Sequence, residues 1–187
     1  MTPEEAREIL EGTGAILSGH FLLTSGRHSD TYVEKARVFE HPDVVVRLGE
    51  EIASWYERVE AVVSPAVGAI PLGFAVALAA DARFLYAERE RGAMKLRRGF
   101  EVSGGERVLV VEDVVTTGGS VAEVHALITG SGAEALGVAA MVDRTPEKPA
   151  FPFRALLRID ARTFEPSHCP LCAAGDAPVA HGSRSLH

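Results

Sequence analysis

Short unbroken apolar runs alternate along this chain with longer segments whose apolar residues recur every three or four positions. The first pattern marks buried strands and the second marks helices with one apolar face. Thr2-Pro3-Glu4-Glu5 forms a capping box with proline in the first turn, which predicts a helix from about Pro3 to Glu11 that stops at Gly12 or Gly14. Residues 15–35 mix short apolar runs with turn residues and read as two or three short strands. Pro42 opens a second helix with Val44, Val45, Leu48, Ile52 and Trp55 at helical spacing. Ala61 to Ser64 reads as a buried strand, residues 65–71 as a turn, and an apolar helix follows to about Ala80. Arg83 to Ala87 is the next strand, and Glu88 to Phe100 a charged loop. Val108 to Val111 is a buried strand followed by a helix from about Val121. Ala135 to Asp143 and Leu156 to Ile159 complete the set. Strands that alternate with helices predict an α/β fold with a doubly wound, mainly parallel sheet. Residues 1–35 and the C-terminal segment fall outside this alternation. They are expected to form a small cap over the 36–160 α/β core, within a single domain spanning 1–187.

Composition narrows the class. With 187 residues, 47% hydrophobic and 24% charged, the chain can bury a full core and suits a globular enzyme. A formal net charge of -7 argues against a general binder of nucleic acid or anionic membrane. The longest apolar stretch, Leu72 to Ala80, is too short to span a bilayer, and the acidic start lacks a secretory apolar region. A cytoplasmic location is the expectation. The two cysteines, Cys169 and Cys172, form one Cys-x-x-Cys near His168 and His181. One such pair is half a zinc ribbon. An unmetallated surface turn is the preferred reading, with a metal site and a redox pair as the alternatives.

The densest chemistry lies in Arg107-Val-Leu-Val-Val-Glu-Asp-Val-Val-Thr-Thr-Gly-Gly-Ser120. Glu112 and Asp113 follow the apolar run. The small-residue loop Thr116-Thr117-Gly118-Gly119-Ser120 then feeds a helix N-terminus. Glycine-rich turns expose backbone N–H groups, and a helix N-terminus adds partial positive charge, so this is a phosphate cradle. The neighbouring acids suit sugar hydroxyls or a metal-bound ligand. A second strand-to-helix loop, Ser64-Pro-Ala66-Val67-Gly68-Ala-Ile-Pro-Leu-Gly73, allows close backbone approach and suits a diphosphate. The charged loop concentrates five basic residues in an acidic protein. It reads either as a solvated hairpin or as a mobile lid whose cations neutralise a departing anion and exclude water. Arg144 ends a strand at the same sheet edge. It either pairs with Asp143 on the surface or meets a substrate carboxylate.

The order of strand, acid pair and Thr-Thr-Gly-Gly-Ser resembles the phosphoribosyl-diphosphate (PRPP) signature of type I phosphoribosyltransferases. From Gly19 to Arg144 the chain resembles the orotate phosphoribosyltransferase family. The resemblance is carried by Ser25-Gly-Arg-His-Ser-Asp-Thr-Tyr32, Ser64-Pro-Ala-Val-Gly-Ala69, Leu96-Arg-Arg-Gly-Phe100 and residues 112–120, with an echo in Gly182-Ser-Arg184. It implies that Glu112, Asp113, Val114, Val115, Thr116, Thr117, Gly118, Gly119 and Ser120 bind PRPP, with Ala66, Val67 and Gly68 contributing from the second loop. It places Thr116, Arg144 and Tyr32 at orotate. Arg89 and Lys95 fall in the family's catalytic loop, which reaches into the neighbouring subunit. The family is a homodimer and needs Mg²⁺, held mainly by PRPP, so no protein metal ligands are expected. Two positions depart from the family pattern. Thr24 stands where many members have lysine, and Glu90 where some do.

The function so implied is Mg²⁺-dependent transfer of ribose 5-phosphate from PRPP to orotate, giving orotidine 5′-monophosphate and diphosphate. A purine phosphoribosyltransferase would share the PRPP loop but would not need a carboxylate-binding Arg144. A PRPP-sensing regulator would need a basic DNA-binding segment, and the acidic first helix is a poor one. A Walker-type nucleotide site is excluded because its glycine-lysine signature is absent.

Overall fold

The computed structural model describes residues 1–23 and 25–180. Its centre is a six-stranded sheet in the order β5-β4-β3-β6-β7-β8. The strands are β3 (Ala61–Pro65), β4 (Arg83–Glu90), β5 (Ala93–Leu96), β6 (Arg107–Val115), β7 (Glu134–Asp143) and β8 (Phe153–Arg158). All neighbours pair in parallel except β5, which returns antiparallel along β4 at one edge. The helices are α1 (Pro3–Gly12), α2 (Ala36–Phe39), α3 (Pro42–Ala53), α4 (Ile70–Ala79), α5 (Gly119–Gly130) and α6 (Pro170–Ala173). Parallel pairing needs crossover connections; α4 carries the chain from β3 to β4 and α5 from β6 to β7, while residues 144–152 join β7 to β8 without a helix.

The period of two along β6 builds both layers of the core. Leu109 and Val111 pack with Leu48, Ile52, Leu72 and Val76 of α3 and α4. Val108 and Val110 pack with Val121, Val124 and Ile128 of α5. Because both faces are covered, the strand reads in sequence as a continuous apolar run rather than an alternating one.

The two ends of the chain share a second, four-stranded sheet, β10-β1-β2-β9. Here β1 (Ile16–Leu22) and β2 (His28–Val33) form an antiparallel pair. From the tail, β9 (Thr163–Phe164) adds to β2 and β10 (Val179–Ala180) adds to β1.

Three elements differ from the sequence reading. Trp55 lies beyond α3, which is capped at Ser54; its indole N–H donates to Glu51 at 3.0 Å, and Arg154 covers the ring at 4.4 Å. Strand β6 runs on to Val115, so the two acids sit inside it, because β7 keeps pairing with it out to Asp143. The charged segment after Ala87 is largely a hairpin, β4–β5, joined by the two-residue turn Arg91-Gly92. Both turn residues have positive φ, 50° and 88°, the twist that joins antiparallel strands tightly.

Candidate active site

The loop after β6 folds as a glycine turn into the N-terminus of α5. Gly118 adopts φ 76°, a left-handed conformation that favours glycine, and serves as the N-cap of α5. The N-cap Gly118 has no side chain to cap that end, and the Gly119 N–H makes only a long bond of 3.5 Å to the Thr117 hydroxyl. The first amides of α5 border a small open pocket lined by Glu112 and residues 114–121. An anion with several oxygens matches these donors and the helix dipole.

Asp113 is 1% exposed, yet its Oδ2 has no directed hydrogen bond. Lys35 Nζ stands 2.5 Å from that oxygen as a charge contact. Oδ1 accepts the Val114 N–H at 2.6 Å. Glu112 accepts the Asp113 N–H at 3.0 Å. Burial, reinforced by the charge of Asp113, pushes the Glu112 carboxyl up to about 8. Glu112, desolvated beside a like charge, therefore favours its protonated form.

The second loop reaches the same point. A Cβ on Gly68 would collide with Asp113 Oδ2 and Lys35 Nζ, so only glycine lets this backbone pass. The Ala66–Val67 peptide is cis, and the Val67 side chain is exposed. Gly68 thus packs against Asp113, and Thr116 to Ser120 share a pocket with Glu112.

Arg144 and Tyr32 also meet here. Asp143 is occupied elsewhere: Arg158 pairs with it at 2.7 Å, and Thr145 donates to it through both its N–H and its hydroxyl. The Arg144–Asp143 surface bridge is therefore not formed. Instead Arg144 lies half-buried in the field of Asp30 and Tyr32, and burial pulls its pKa below the usual arginine value. Burial likewise raises the Tyr32 hydroxyl, against the opposing pull of Lys35 and Arg144. A half-buried guanidinium beside an aromatic ring suits a flat, anionic ligand.

The hairpin cations stand apart from this centre. Arg89 forms a two-pronged pair with Glu123 of α5, at 2.9 and 3.1 Å. Lys95 pairs with Glu90 at 2.9 Å, and Arg98 with Glu88 at 2.8 Å. Acids interleaved in the same segment thus hold Lys95 and Arg98, and an acid of α5 holds Arg89.

Sequence reading missed Lys35 and Asp30. Both follow from β2, far from β6 in the chain, and no spacing rule links them to the acid pair. It also misplaced the surroundings of the cysteines. His168 bonds to its neighbour Ser167, while Cys169 and Cys172 face His20 and His28 on β1 and β2. Thr24, His181 and Gly182-Ser-Arg184 lie outside the described residues. Among the described residues no helix is long and apolar enough to cross a membrane.

The family model for the phosphoribosyl transferase domain matches residues 39–152. The chain is 47% identical over its full length to the orotate phosphoribosyltransferase of Caldanaerobacter subterraneus subsp. tengcongensis, all of which is covered. It is 50% identical over 184 residues to that of Thermotoga maritima, covering 96% of this chain and 98% of the relative. Among solved structures, the orotate phosphoribosyltransferase of Aeropyrum pernix superposes with a TM-score of 0.68 at 26% identity, over 81% of this chain and 92% of the other. A doubly wound sheet with an acid pair beside a phosphate cradle defines a phosphoribosyltransferase of type I. Within that class, the chain belongs to the orotate phosphoribosyltransferase family.

Proposed function

We propose that the crevice transfers ribose 5-phosphate from PRPP to N1 of orotate, releasing orotidine 5′-monophosphate and diphosphate. The observation that carries this reading is the convergence of two anion-binding loops and the Glu112–Asp113 pair with a half-buried Arg144.

In this reading the amides of Thr116 to Ser120 hold the 5′-phosphate, with Val114 and Val115 as the adjoining wall. Glu112 and Asp113 accept the ribose hydroxyls and favour positive charge developing at the ribosyl carbon. The backbone of Ala66, Val67 and Gly68 faces the diphosphate. Arg144 binds the orotate carboxylate, Thr116 touches the same base and Tyr32 lies against its ring. As the bond from N1 of orotate to the ribosyl carbon forms, the bond to diphosphate breaks and the N1 proton passes to the departing diphosphate or to water, so the protein's part is positioning and leaving-group stabilisation. Lys35, which contacts Asp113 when the crevice is empty, would turn to an arriving phosphate. Arg89 and Lys95 belong to the hairpin that closes over the diphosphate of the neighbouring subunit in a homodimer. For that they must exchange Glu123 and Glu90 for the anion.

Magnesium fits this site. The buried Asp113 oxygen without a hydrogen-bond donor, next to Glu112, is the hard-oxygen setting a PRPP-bound Mg²⁺ prefers. When bound, the ion offsets charge on the diphosphate. The protein's part is to keep the two carboxylates facing it through ribose hydroxyls or water.

The test is an assay with PRPP, Mg²⁺ and a panel of bases. Orotate alone should be consumed, with stoichiometric diphosphate release. Turnover confined to adenine or hypoxanthine would overturn the assignment.

A further inference from the structure

We propose that His20, His28, Cys169 and Cys172 bind one structural zinc ion, which fastens the C-terminal segment to the β1–β2 hairpin. The four ligand atoms lie within 4.8 Å of one another. His20 Nε2 is 2.9 Å from His28 Nδ1 and 3.4 Å from Cys169 Sγ. Cys172 Sγ is 3.4 Å from His28 Nδ1 and 3.8 Å from His20 Nε2. With Zn–S near 2.3 Å and Zn–N near 2.0–2.1 Å, a tetrahedral ion holds N and S atoms about 3.6 Å apart and two nitrogens about 3.3 Å apart. These four distances need only a few tenths of an ångström of adjustment, and the widest separation in the group, within 4.8 Å, closes by about 1 Å at most.

The surroundings favour a metal over a chance meeting. His20, His28 and Cys169 are all buried. The backbone carbonyl of Asp176 lies 2.9 Å from His20 Nδ1, so an Nδ1–H donated there leaves the Nε2 lone pair turned into the cluster. Two thiolates balance a divalent charge, so the assembled centre is neutral and can be buried. The donor set, two sulfurs and two imidazole nitrogens, selects zinc over the hard Mg²⁺ of the reaction. Cys169 caps α6 and Cys172 lies within it, while the histidines come from β1 and β2. The ion would thus tie the tail to the strand that carries Asp30 and Tyr32.

The experiment uses the full-length protein, purified reduced and without added chelator. Elemental analysis should find about one zinc per chain, unchanged by saturating Mg²⁺. Stripping under reducing conditions and titrating with Co²⁺ should give a thiolate-to-cobalt charge-transfer band that saturates at one equivalent. Cys172→Ser and His28→Ala should drop the zinc content below about a tenth of an equivalent, whereas His168→Ala should keep it. The cobalt titration needs no variant, so a misfolded substitution leaves the proposal falsifiable. Absence of zinc together with absence of the cobalt band would overturn it. So would a Cys169–Cys172 disulfide as the native state, or full zinc retention in Cys172→Ser.

Discussion

Asp113 and Glu112 are neighbours in sequence but sit in different electrostatic states. Asp113 has Lys35 against it, whereas Glu112 is buried with its nearest charge of like sign. The consequence is a sign that can be measured. A carboxyl held above its ordinary value of 4.5, at about 8, adds stability that is full below the lower value and is lost as pH rises through the upper one. The ligand-free protein should therefore lose melting temperature between about pH 5 and pH 8 relative to Glu112→Gln, which cannot ionise there. Thermal scans of both proteins across that window check this. Parallel curves would mean that Glu112 ionises normally. The raised value also fits the proposed chemistry, since substrate hydroxyls would add donors to the one Glu112 has from the Asp113 N–H. Arg144 is the matching case on the cationic side: Asp143 is taken by Arg158 and Thr145, so the guanidinium faces Asp30 and Tyr32.

At the scale of elements, the β4–β5 hairpin is the segment whose sequence and structure diverge most instructively. Its cations suggest a lid, but Glu88 and Glu90 stand among them and Glu123 waits on α5, so Arg89, Lys95, Arg97 and Arg98 are held in ion pairs. Arg89 and the Met94 N–H both use Glu123, at 2.9 and 3.1 Å respectively, which makes that carboxylate the pin of the hairpin to α5. Glu123→Ala should speed amide hydrogen exchange across residues 93–96 and leave residues 108–111 unchanged. Exchange that accelerates in both segments would show that the hairpin is not a separate opening unit. The central strands and the phosphate loop were legible because each carries its own signal, an unbroken apolar run or a glycine turn before a helix. The acid pair and Arg144 were legible because they end up beside that turn. Lys35, Asp30 and the His20–His28 pair were not, because their relations exist only after Lys35, just past β2, has met Asp113 and the tail has met β1 and β2. Hairpin against loop could not be decided from charge alone; the strand pairing decides it.

For the whole molecule, the account joins two sheets, one crevice and a proposed second subunit. If the hairpin serves the neighbour's site, two crippled proteins can complement each other. Asp113→Asn and Lys95→Ala, each nearly inactive, should recover activity when mixed under conditions of subunit exchange. In a two-fold dimer about half the molecules become mixed, each with one intact site, so about a quarter of the normal activity should return. Mixed dimers that stay as inactive as their parents would place the hairpin over its own subunit's site. The central claim is more local: one crevice holds a phosphate at the α5 N-terminus and a carboxylate at Arg144. The most direct measurement is a crystal structure with orotidine 5′-monophosphate. Its phosphate oxygens should lie at hydrogen-bond distance, about 2.7–3.2 Å, from the amides of residues 116–120, with the base carboxylate paired to Arg144 and the ribose hydroxyls on Glu112 and Asp113. A nucleotide bound with its carboxylate away from Arg144, or with its phosphate outside the 116–120 loop, would contradict the account.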